Sequence, residues 1–160
     1  MAVRTAVPGD AAALSALLNA IIRQGGTTAM QTPFDENGFR AAFIAGDGVL
    51  ACMVAEAAGQ PVGFQFLGRH PALPPGWVDI ASFARQAPKL PGVGRALFPR
   101  TLERARALGA PAINATIRAD NASGLGYYAA MGFRRYRVAR SVPLADGTPV
   151  DRISMRFDLG

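Results

Sequence analysis

The first fifty residues carry apolar side chains at helical spacing. The apolar stripe of the first predicted helix consists of Leu14, Leu17, Leu18, Ile21 and Ile22. Recurrence at three and four residues places these side chains on one face, with Asp10 as the N-cap and Gly25-Gly26 as the end of the helix. Thr32-Pro33 is typical of a cap followed by a first-turn proline, which predicts a second helix as far as about Ile44.

Shorter apolar segments bounded by glycine and proline predict strands. The predicted strands are Val3–Val7, Val49–Glu56, Pro61–Gly68, Trp77–Arg85, Ala112–Ile117, Tyr136–Leu144 and Arg152–Leu159. One helix is predicted after the glycine turn Gly92–Gly94, and another over Asn121–Met131. Hairpins make most strand pairs antiparallel, whereas the strand–helix–strand passage over 77–117 predicts a parallel pair. The pattern therefore predicts an α/β (α+β) fold with a mixed, mostly antiparallel sheet of about seven strands and helices on both faces.

Composition narrows the class of protein. A chain of 160 residues can form one domain with a hydrophobic core, so 1–160 is interpreted as a single domain. No apolar run approaches the ~20 residues that cross a membrane, and the N-terminus does not resemble a secretion signal. The only cysteine, Cys52, excludes a disulfide framework. We expect a cytoplasmic protein with no membrane partner, in which Cys52 is a buried structural thiol.

The net charge of +6 comes almost wholly from arginine, since Lys89 is the only lysine. Such a balance suits an anionic ligand or a nucleic acid. The arginines are scattered, however, and the densest group, Arg134–Arg137, would be divided between the two faces of a strand. We therefore expect no nucleic-acid partner. No group of histidine, cysteine and carboxylate residues has the spacing of a metal site, so no metal is expected.

A glycine-rich turn stands before the third predicted helix. Its sequence is Lys89-Leu90-Pro91-Gly92-Val93-Gly94-Arg95. A Gly-x-Gly turn at a helix start presents free N–H groups and the positive end of the helix dipole, which favour phosphate. A nucleotide P-loop would need lysine where the chain has Arg95, and a dinucleotide fingerprint would need a small residue at Leu97. A mononucleotide bound by a P-loop and a dinucleotide are therefore both disfavoured. Taken alone, the turn fits a phosphate site and a simple helix start equally well.

A second motif follows the next predicted strand, in the segment Asn121–Phe133. With the glycine turn before it, this segment resembles the two signatures of the GCN5-related N-acetyltransferase (GNAT) superfamily. These are an (Arg/Gln)-x-x-Gly-x-Gly/Ala loop after the fourth strand and an Asn-x-x-small-x-x-Leu-Tyr-x-x-apolar-Gly-Phe segment after the fifth. The matching residues are Gly92, Gly94, Asn121, Tyr128, Gly132 and Phe133. The element order also matches, so the resemblance covers nearly the whole chain.

Within the superfamily, the chain resembles the phosphinothricin acetyltransferase-like branch. The features in common are Leu18–Ile22 before a threonine-rich loop, Pro33, Asp79 ten positions ahead of Lys89, and Gly147 with Asp151 in the last hairpin. The resemblance implies the GNAT acyl-CoA N-acyltransferase fold, with the fourth and fifth strands splayed apart. It implies transfer of an acetyl group from acetyl-CoA to a primary amine of an amino acid or amino-acid-like small molecule. It also implies a homodimer, by analogy alone.

The resemblance assigns part of the glycine turn to acetyl-CoA, the co-substrate. N–H groups around Gly92, Val93 and Gly94 would hold the pyrophosphate. Lys89 takes the place of the family's Arg or Gln, and keeps the charge without the planar fork of arginine. Arg95 would add charge beside the phosphates, unless it is simply solvated.

The resemblance also implies contacts with the pantetheine arm of acetyl-CoA. Main-chain groups of Ser82, Phe83 and Ala84 would pair with the arm as if it were an added strand. Asn121 would form a hydrogen bond to the arm from the far side. The alternative for Asn121 is a helix cap, which is compatible with that contact.

Two residues are candidates for proton transfer. Tyr128 is the candidate general acid that protonates the leaving thiolate, whereas Tyr127 projects about 100° away and is expected to pack in the core. Asp79 stands where the branch has Glu, and is the candidate base for an acceptor ammonium whose pKa lies near 10. The alternatives are a core role for Tyr128 and a structural ion pair with an arginine for Asp79.

We expect the loops Gly25–Phe34 and His70–Gly76 and the terminal hairpin to frame the pocket of the acceptor amine. The alternative function is a non-catalytic acyl-CoA-binding or sensing module on the same fold. Such a module would not need the proton chemistry of Tyr128 and Asp79.

Overall fold

A single seven-stranded sheet is the framework of the computed structural model, which describes residues 1–160. Its strands are β1 (Ala2–Thr5), β2 (Val49–Ala57), β3 (Gln60–Gly68), β4 (Val78–Ala84), β5 (Ala112–Arg118), β6 (Arg134–Pro143) and β7 (Pro149–Asp158). The spatial order is β1-β2-β3-β4-β5-β7-β6, and only the β4–β5 pair is parallel. The predicted mixed, mostly antiparallel sheet is therefore confirmed.

Helices cover both faces of this sheet, as predicted. They are α1 (Ala11–Gln24), α2 (Glu36–Phe39) with a π-helical turn over Arg40–Ile44, α3 (Val93–Ala107) and α4 (Ala122–Met131). Alternation along β2 divides the faces: Cys52 and Val54 share a core cluster with α1 and α2, whereas Met53 and Ala55 share one with α3. Burial raises the pKa of the Cys52 thiol to about 12. No helix is both long and apolar enough to span a membrane.

The start of α1 differs from the prediction. Asp10 immediately precedes the helix, but its carboxylate forms no cap hydrogen bond with it. Instead it accepts two hydrogen bonds from the Arg4 guanidinium, both 2.8 Å long, and one of 2.8 Å from the Val7 N–H. The pairing with Arg4 lowers the pKa of Asp10. Asp10 therefore joins the end of β1 to the start of α1 rather than capping the helix.

The second helix also begins later than predicted. Thr32-Pro33 lies outside it, and the N-cap is Asp35, whose carboxylate accepts a hydrogen bond of 2.6 Å from the Gly38 N–H. Aspartate is a stronger cap than threonine, which accounts for the shift.

A cluster of aromatic rings holds β4 on the side of α1 and α2. Phe64 lies at its centre and is fully buried. The centroid of its ring lies 5.3 Å from that of Phe39, 5.6 Å from that of Phe43 and 5.1 Å from that of Phe83. Because Phe83 belongs to β4, this cluster fixes the strand that borders the site described below.

Strands β4 and β5 separate after only two residue pairs. Val78 pairs with Ile113 and Asp79 with Asn114, and no later residue of β4 pairs with β5. On its other side, β4 stays paired with β3 as far as Ala84. The predicted splay of the fourth and fifth strands is confirmed, and it leaves main-chain groups of β4 without a partner strand along the gap.

Replacing Phe64 with alanine should lower the free energy of unfolding by about 3–5 kcal/mol. Removal of this large buried ring leaves a cavity that the surrounding side chains only partly fill. Urea unfolding followed by circular dichroism measures the change. Glu103→Ala is the control, since that side chain is 72% exposed, and should change the free energy by no more than about 0.5 kcal/mol. Equal effects of the two substitutions would contradict the role of the cluster.

Candidate active site

The gap between β4 and β5 opens into a cavity of about 710 Å³. One wall is the unpaired part of β4, residues 80–84. The three segments expected to frame a pocket all contribute: Thr27–Met30 from the first loop, His70 and Leu73 from the second, and Tyr136 and Arg152 from the last hairpin. Segments far apart in sequence thus surround the point at which the strands separate.

The glycine turn begins α3 beside this cavity. Gly92 is the N-cap, with a φ of 84° that favours glycine. The first hydrogen bond of the helix runs from the Ala96 N–H to the Gly92 carbonyl, 3.0 Å apart. The N–H groups of Val93, Gly94 and Arg95 therefore have no acceptor within the helix. They form a donor group that suits an anion.

The residues of the turn differ in their access to the cavity. Lys89 and Gly94 line it, whereas Gly92, Val93 and Arg95 do not. The Val93 side chain is buried in the core, so only its main chain can face a ligand. Arg95 is exposed to solvent. Their contacts with acetyl-CoA stay predictions.

Gly94 is needed for a reason that the sequence did not reveal. A Cβ atom at this position would lie 2.4 Å from a ring carbon of Tyr127. The Tyr127 hydroxyl donates a hydrogen bond of 2.8 Å to the Gly94 carbonyl. The close approach of α3 to α4 thus depends on glycine in one helix and tyrosine in the other.

Ser82, Phe83 and Ala84 line the cavity where β4 has no partner strand on the side of β5. The Phe83 side chain points away, into the aromatic cluster. The Ala84 carbonyl accepts a hydrogen bond of 2.8 Å from the Gln86 side chain. The strand thus offers a main-chain edge next to the glycine turn, as β-strand addition requires.

Two tyrosine hydroxyls from α4 converge on one hydrogen-bond network at β4. Gln65 Nε2 lies 2.9 Å from both the Tyr127 hydroxyl and Ser82 Oγ. Ser82 Oγ in turn lies 2.8 Å from the Tyr128 hydroxyl. A carbonyl can only accept, so Tyr127 donates its single proton to Gly94 and accepts from Gln65. Tyr127 packs against the core as expected, but its hydroxyl also connects the glycine turn to the network of Tyr128.

Tyr128 combines a core ring with a hydroxyl at the cavity. Its ring centroid lies 5.1 Å from that of Phe133 and 5.0 Å from that of Tyr127, and the residue is 6% exposed. Burial raises the pKa of Tyr128, which the hydrogen bond with Ser82 only partly offsets. The phenol is therefore protonated at neutral pH and can donate.

Asp79 lies on the opposite face of β4 from Ser82, at the last residue pair before the gap. Burial raises its pKa, while a hydrogen bond of 2.8 Å from Asn114 Nδ2 and the charge of His70 act in the opposite direction. No arginine forms an ion pair with Asp79, so the structural salt bridge that was its alternative is absent. No group of three histidine, cysteine or carboxylate residues could hold a metal ion there.

Sequence reasoning missed Asn114 and Tyr136, which connect Asp79 to β6. The Asn114 side chain donates to Asp79 and accepts a hydrogen bond of 2.5 Å from the Tyr136 hydroxyl. The signal was the alternation along β5, in which Asn114, Thr116 and Arg118 share the face opposite the core residues. A polar row on a central strand indicates a solvated or ligand-binding face.

Asn121 is the N-cap of α4. Its Oδ1 accepts a hydrogen bond of 2.9 Å from the Gly124 N–H, and its Nδ2 donates one of 3.2 Å to the Thr27 carbonyl. A Cβ atom on Gly124 would lie 2.6 Å from Asn121 Nδ2, so that glycine makes room for the cap. Asn121 also lines the cavity, and its contact with a pantetheine arm stays a prediction.

Comparison with solved structures identifies the architecture. A ribosomal-protein-alanine N-acetyltransferase from Brucella melitensis is 23% identical, with a TM-score of 0.84 over 99% of this chain and 100% of that chain. A GNAT superfamily phosphinothricin acetyltransferase from Sinorhizobium meliloti, solved in complex with AcCoA, is 22% identical, with a TM-score of 0.85 over 99% of this chain and 88% of that one. The chain has the GNAT fold.

Other solved structures agree with this GNAT fold. A GCN5-related N-acetyltransferase from Kribbella flavida is 21% identical, with a TM-score of 0.83 over 99% of this chain and 97% of that one. No protein-family model and no curated protein matches the sequence. The resemblance drawn from the two motifs is confirmed at the level of the fold.

The contact between Gly94 and Tyr127 can be tested by a double-mutant cycle. Gly94→Ala should lower the free energy of unfolding by about 1–3 kcal/mol, because the new methyl group overlaps the ring. In a Tyr127→Leu background the same change should be neutral or stabilise by up to about 1 kcal/mol, since alanine favours a helix. Urea unfolding of the four proteins gives the coupling energy. An equal effect in both backgrounds would show that the ring does not restrict position 94.

Proposed function

We propose that this protein is an acetyl-CoA-dependent N-acetyltransferase that acts on the primary amine of an amino acid or amino-acid-like small molecule. The observation that carries the proposal is the gap between β4 and β5. At this gap, a free strand edge, Gly94 in the first turn of α3 and Tyr128 border one cavity. The GNAT fold of acetyltransferases supports the same function.

The cavity walls fit acetyl-CoA, which supplies an activated acetyl group as a thioester. The N–H groups of Val93, Gly94 and Arg95 would hold the phosphates, with Lys89 as a positive charge beside them. Main-chain groups of residues 82–84 would bind the pantetheine arm.

Tyr128 is the residue proposed to supply a proton to the leaving sulfur. Its hydroxyl keeps its proton at neutral pH because burial raises its pKa. Ser82 Oγ, 2.8 Å away, can donate to the phenolate oxygen once that proton has left. Gln65 donates to Ser82 and so leaves the serine proton free for Tyr128. The network thus stabilises both the protonated and the deprotonated form of Tyr128.

Asp79 is the residue proposed to take a proton from the acceptor ammonium. A carboxylate with a raised pKa is a better base than an exposed one. Aspartate is one methylene shorter than the glutamate usual in this branch, so we propose that a water molecule relays the proton. Asn114 holds the carboxylate by donating to Oδ1, which leaves Oδ2 available.

Release of free thiol from acetyl-CoA in the presence of a panel of primary amines tests the proposed function. Tyr128→Phe should keep the ring contacts and slow the release by roughly 10²–10⁴-fold. Ser82→Ala is the matched control, because it removes the same hydrogen bond but leaves the phenol, and it should slow the reaction less. A sensing module would bind CoA and release no thiol with any amine, which would refute the transferase.

Asp79→Asn should lower kcat/KM by roughly 10²–10⁴-fold while leaving CoA affinity unchanged, because the amide cannot accept a proton. In the wild type, activity should rise with pH through a midpoint above the ordinary aspartate pKa of about 3.9. The variant should lack this rise.

Stability gives a second readout for Asp79. Because its pKa is raised by folding, its contribution to stability is fully present below the ordinary pKa and is lost as pH rises through the raised one. Asp79→Asn should remove that loss from the pH dependence of thermal unfolding. If Asp79→Asn kept the rise of activity with pH that is expected of the wild type, Asp79 would be excluded as the base.

A further inference from the structure

Gln65 is a polar residue on a buried face of the sheet. It lies on β3 between Met53 of β2 and Ser82 of β4, and none of its surface is exposed to solvent. Met53 packs in an apolar cluster with Val93 and Leu97 of α3, so an aliphatic side chain would suit position 65. The Oε1 atom of Gln65 is buried and has no hydrogen-bond partner. Because a buried acceptor without a donor costs stability, the amide needs a reason other than packing.

The nitrogen of the same amide has two partners. Gln65 Nε2 donates to the Tyr127 hydroxyl and to Ser82 Oγ, each at 2.9 Å. Tyr127 gives its own proton to the Gly94 carbonyl, 2.8 Å away. An amide oxygen in place of Nε2 would face the Tyr127 oxygen with no proton between them. The Gly94 carbonyl, through Tyr127, therefore fixes which end of the amide points toward Ser82.

The hydrogen bond between Ser82 and Tyr128 then has one favoured direction. Ser82 Oγ accepts from Gln65, and its only other partner is the Tyr128 hydroxyl, 2.8 Å away. If Tyr128 donated to Ser82, the serine proton would have no acceptor within the protein. When Ser82 donates instead, the Tyr128 proton stays free for an acceptor in the cavity, which both residues border.

We propose that Gln65 is a positioning residue for the transfer reaction, which directs the proton of Tyr128 into the cavity. This inference rests on the proposed function, because it takes Tyr128 to be the acid. Gln65 does not line the cavity and so contacts neither the co-substrate nor the acceptor. It acts through Ser82, whose proton it reserves for the oxygen of Tyr128 before and after that oxygen protonates the leaving sulfur. Its contact with Tyr127 holds the amide in the orientation that this requires.

Gln65→Glu tests the direction of the hydrogen bonds, because it keeps the shape of the side chain. A carboxyl oxygen carries at most one proton, whereas Nε2 carries two. Any such proton would go to Tyr127, whose own proton is committed to Gly94, so Ser82 would have to donate to the new carboxyl group. Tyr128 would then donate to Ser82, and its proton would be withdrawn from the cavity. The kcat for thiol release should fall by roughly 10²-fold.

Gln65→Leu removes both donors without introducing an acceptor. Ser82 keeps its contact with Tyr128 but is no longer held by the amide, so kcat should fall by only about tenfold. KM for the amine and for acetyl-CoA should change by no more than about twofold in either variant, because Gln65 contacts neither. The midpoint of thermal unfolding should stay within about 4 °C of the wild type, since the unpartnered oxygen is lost together with the two hydrogen bonds.

A Ser82→Ala background separates positioning from packing. If Gln65 acts through Ser82, neither substitution at position 65 should slow that protein further by more than about twofold. Met53→Leu is the matched control on the same buried face, because Met53 lies directly opposite Gln65 and is 1% exposed; it should keep the wild-type kcat. Thermal unfolding shows that each variant is folded at the assay temperature.

The outcomes separate the two proposals. If the wild type releases no thiol with any amine, the proposed function fails and the role of Gln65 fails with it. If the wild type acetylates an amine but both Gln65 variants keep its kcat, the positioning role alone is refuted and the transferase stands. The role is equally refuted if Gln65→Leu slows the Ser82→Ala protein as much as the wild type, or if Met53→Leu slows the reaction as much as Gln65→Leu. Should Gln65→Glu fail to fold, Gln65→Leu in the two backgrounds still decides.

Discussion

The short pairing of β4 with β5 is the constraint on which the rest of the site depends. Inside a sheet, main-chain groups are normally paired on both sides, yet β4 loses its partner after Asp79. Side chains of α4 reach across the opening: Tyr128 bonds to Ser82 on β4, and Tyr127 bonds to Gly94 at the start of α3. These contacts fix the helix, the strand and the glycine turn relative to one another while the gap stays open.

The gap also joins the two faces of the sheet. Side chains alternate along a strand, so Ser82 faces α3 and α4 whereas Asp79 faces the loops and the polar row of β5. In a fully paired sheet, an acid on one face and a base on the other would be separated by a continuous backbone layer. Where the strands separate, Tyr128 and Asp79 border one cavity. Splaying therefore leaves both a free strand edge and a passage between Tyr128 and Asp79, the two residues proposed for proton transfer.

The sequence predicted what depends on local pattern and missed what depends on distant partners. Periodicity predicted every strand and all four helices to within a few residues, and two motifs indicated the fold. The prediction that Asp10 caps α1 was wrong because Arg4, in β1, binds its carboxylate instead. The role of Gly94 could not be predicted, because the ring that requires it belongs to Tyr127 in another helix. The alternation along β5 places Asn114 on a polar face, but it does not indicate that Asp79 and Tyr136 are its hydrogen-bond partners.

The arginines, too, form a cluster that depends on residues far apart in the sequence. In sequence, the arginines are scattered, which argued against a basic surface. Folding brings Arg118, Arg137 and Arg152 together because β5, β6 and β7 are neighbours in space. All three arginines line one wall of the cavity. The charge of this wall is therefore set by the pairing of β5, β7 and β6 in space and not by any basic run of the sequence.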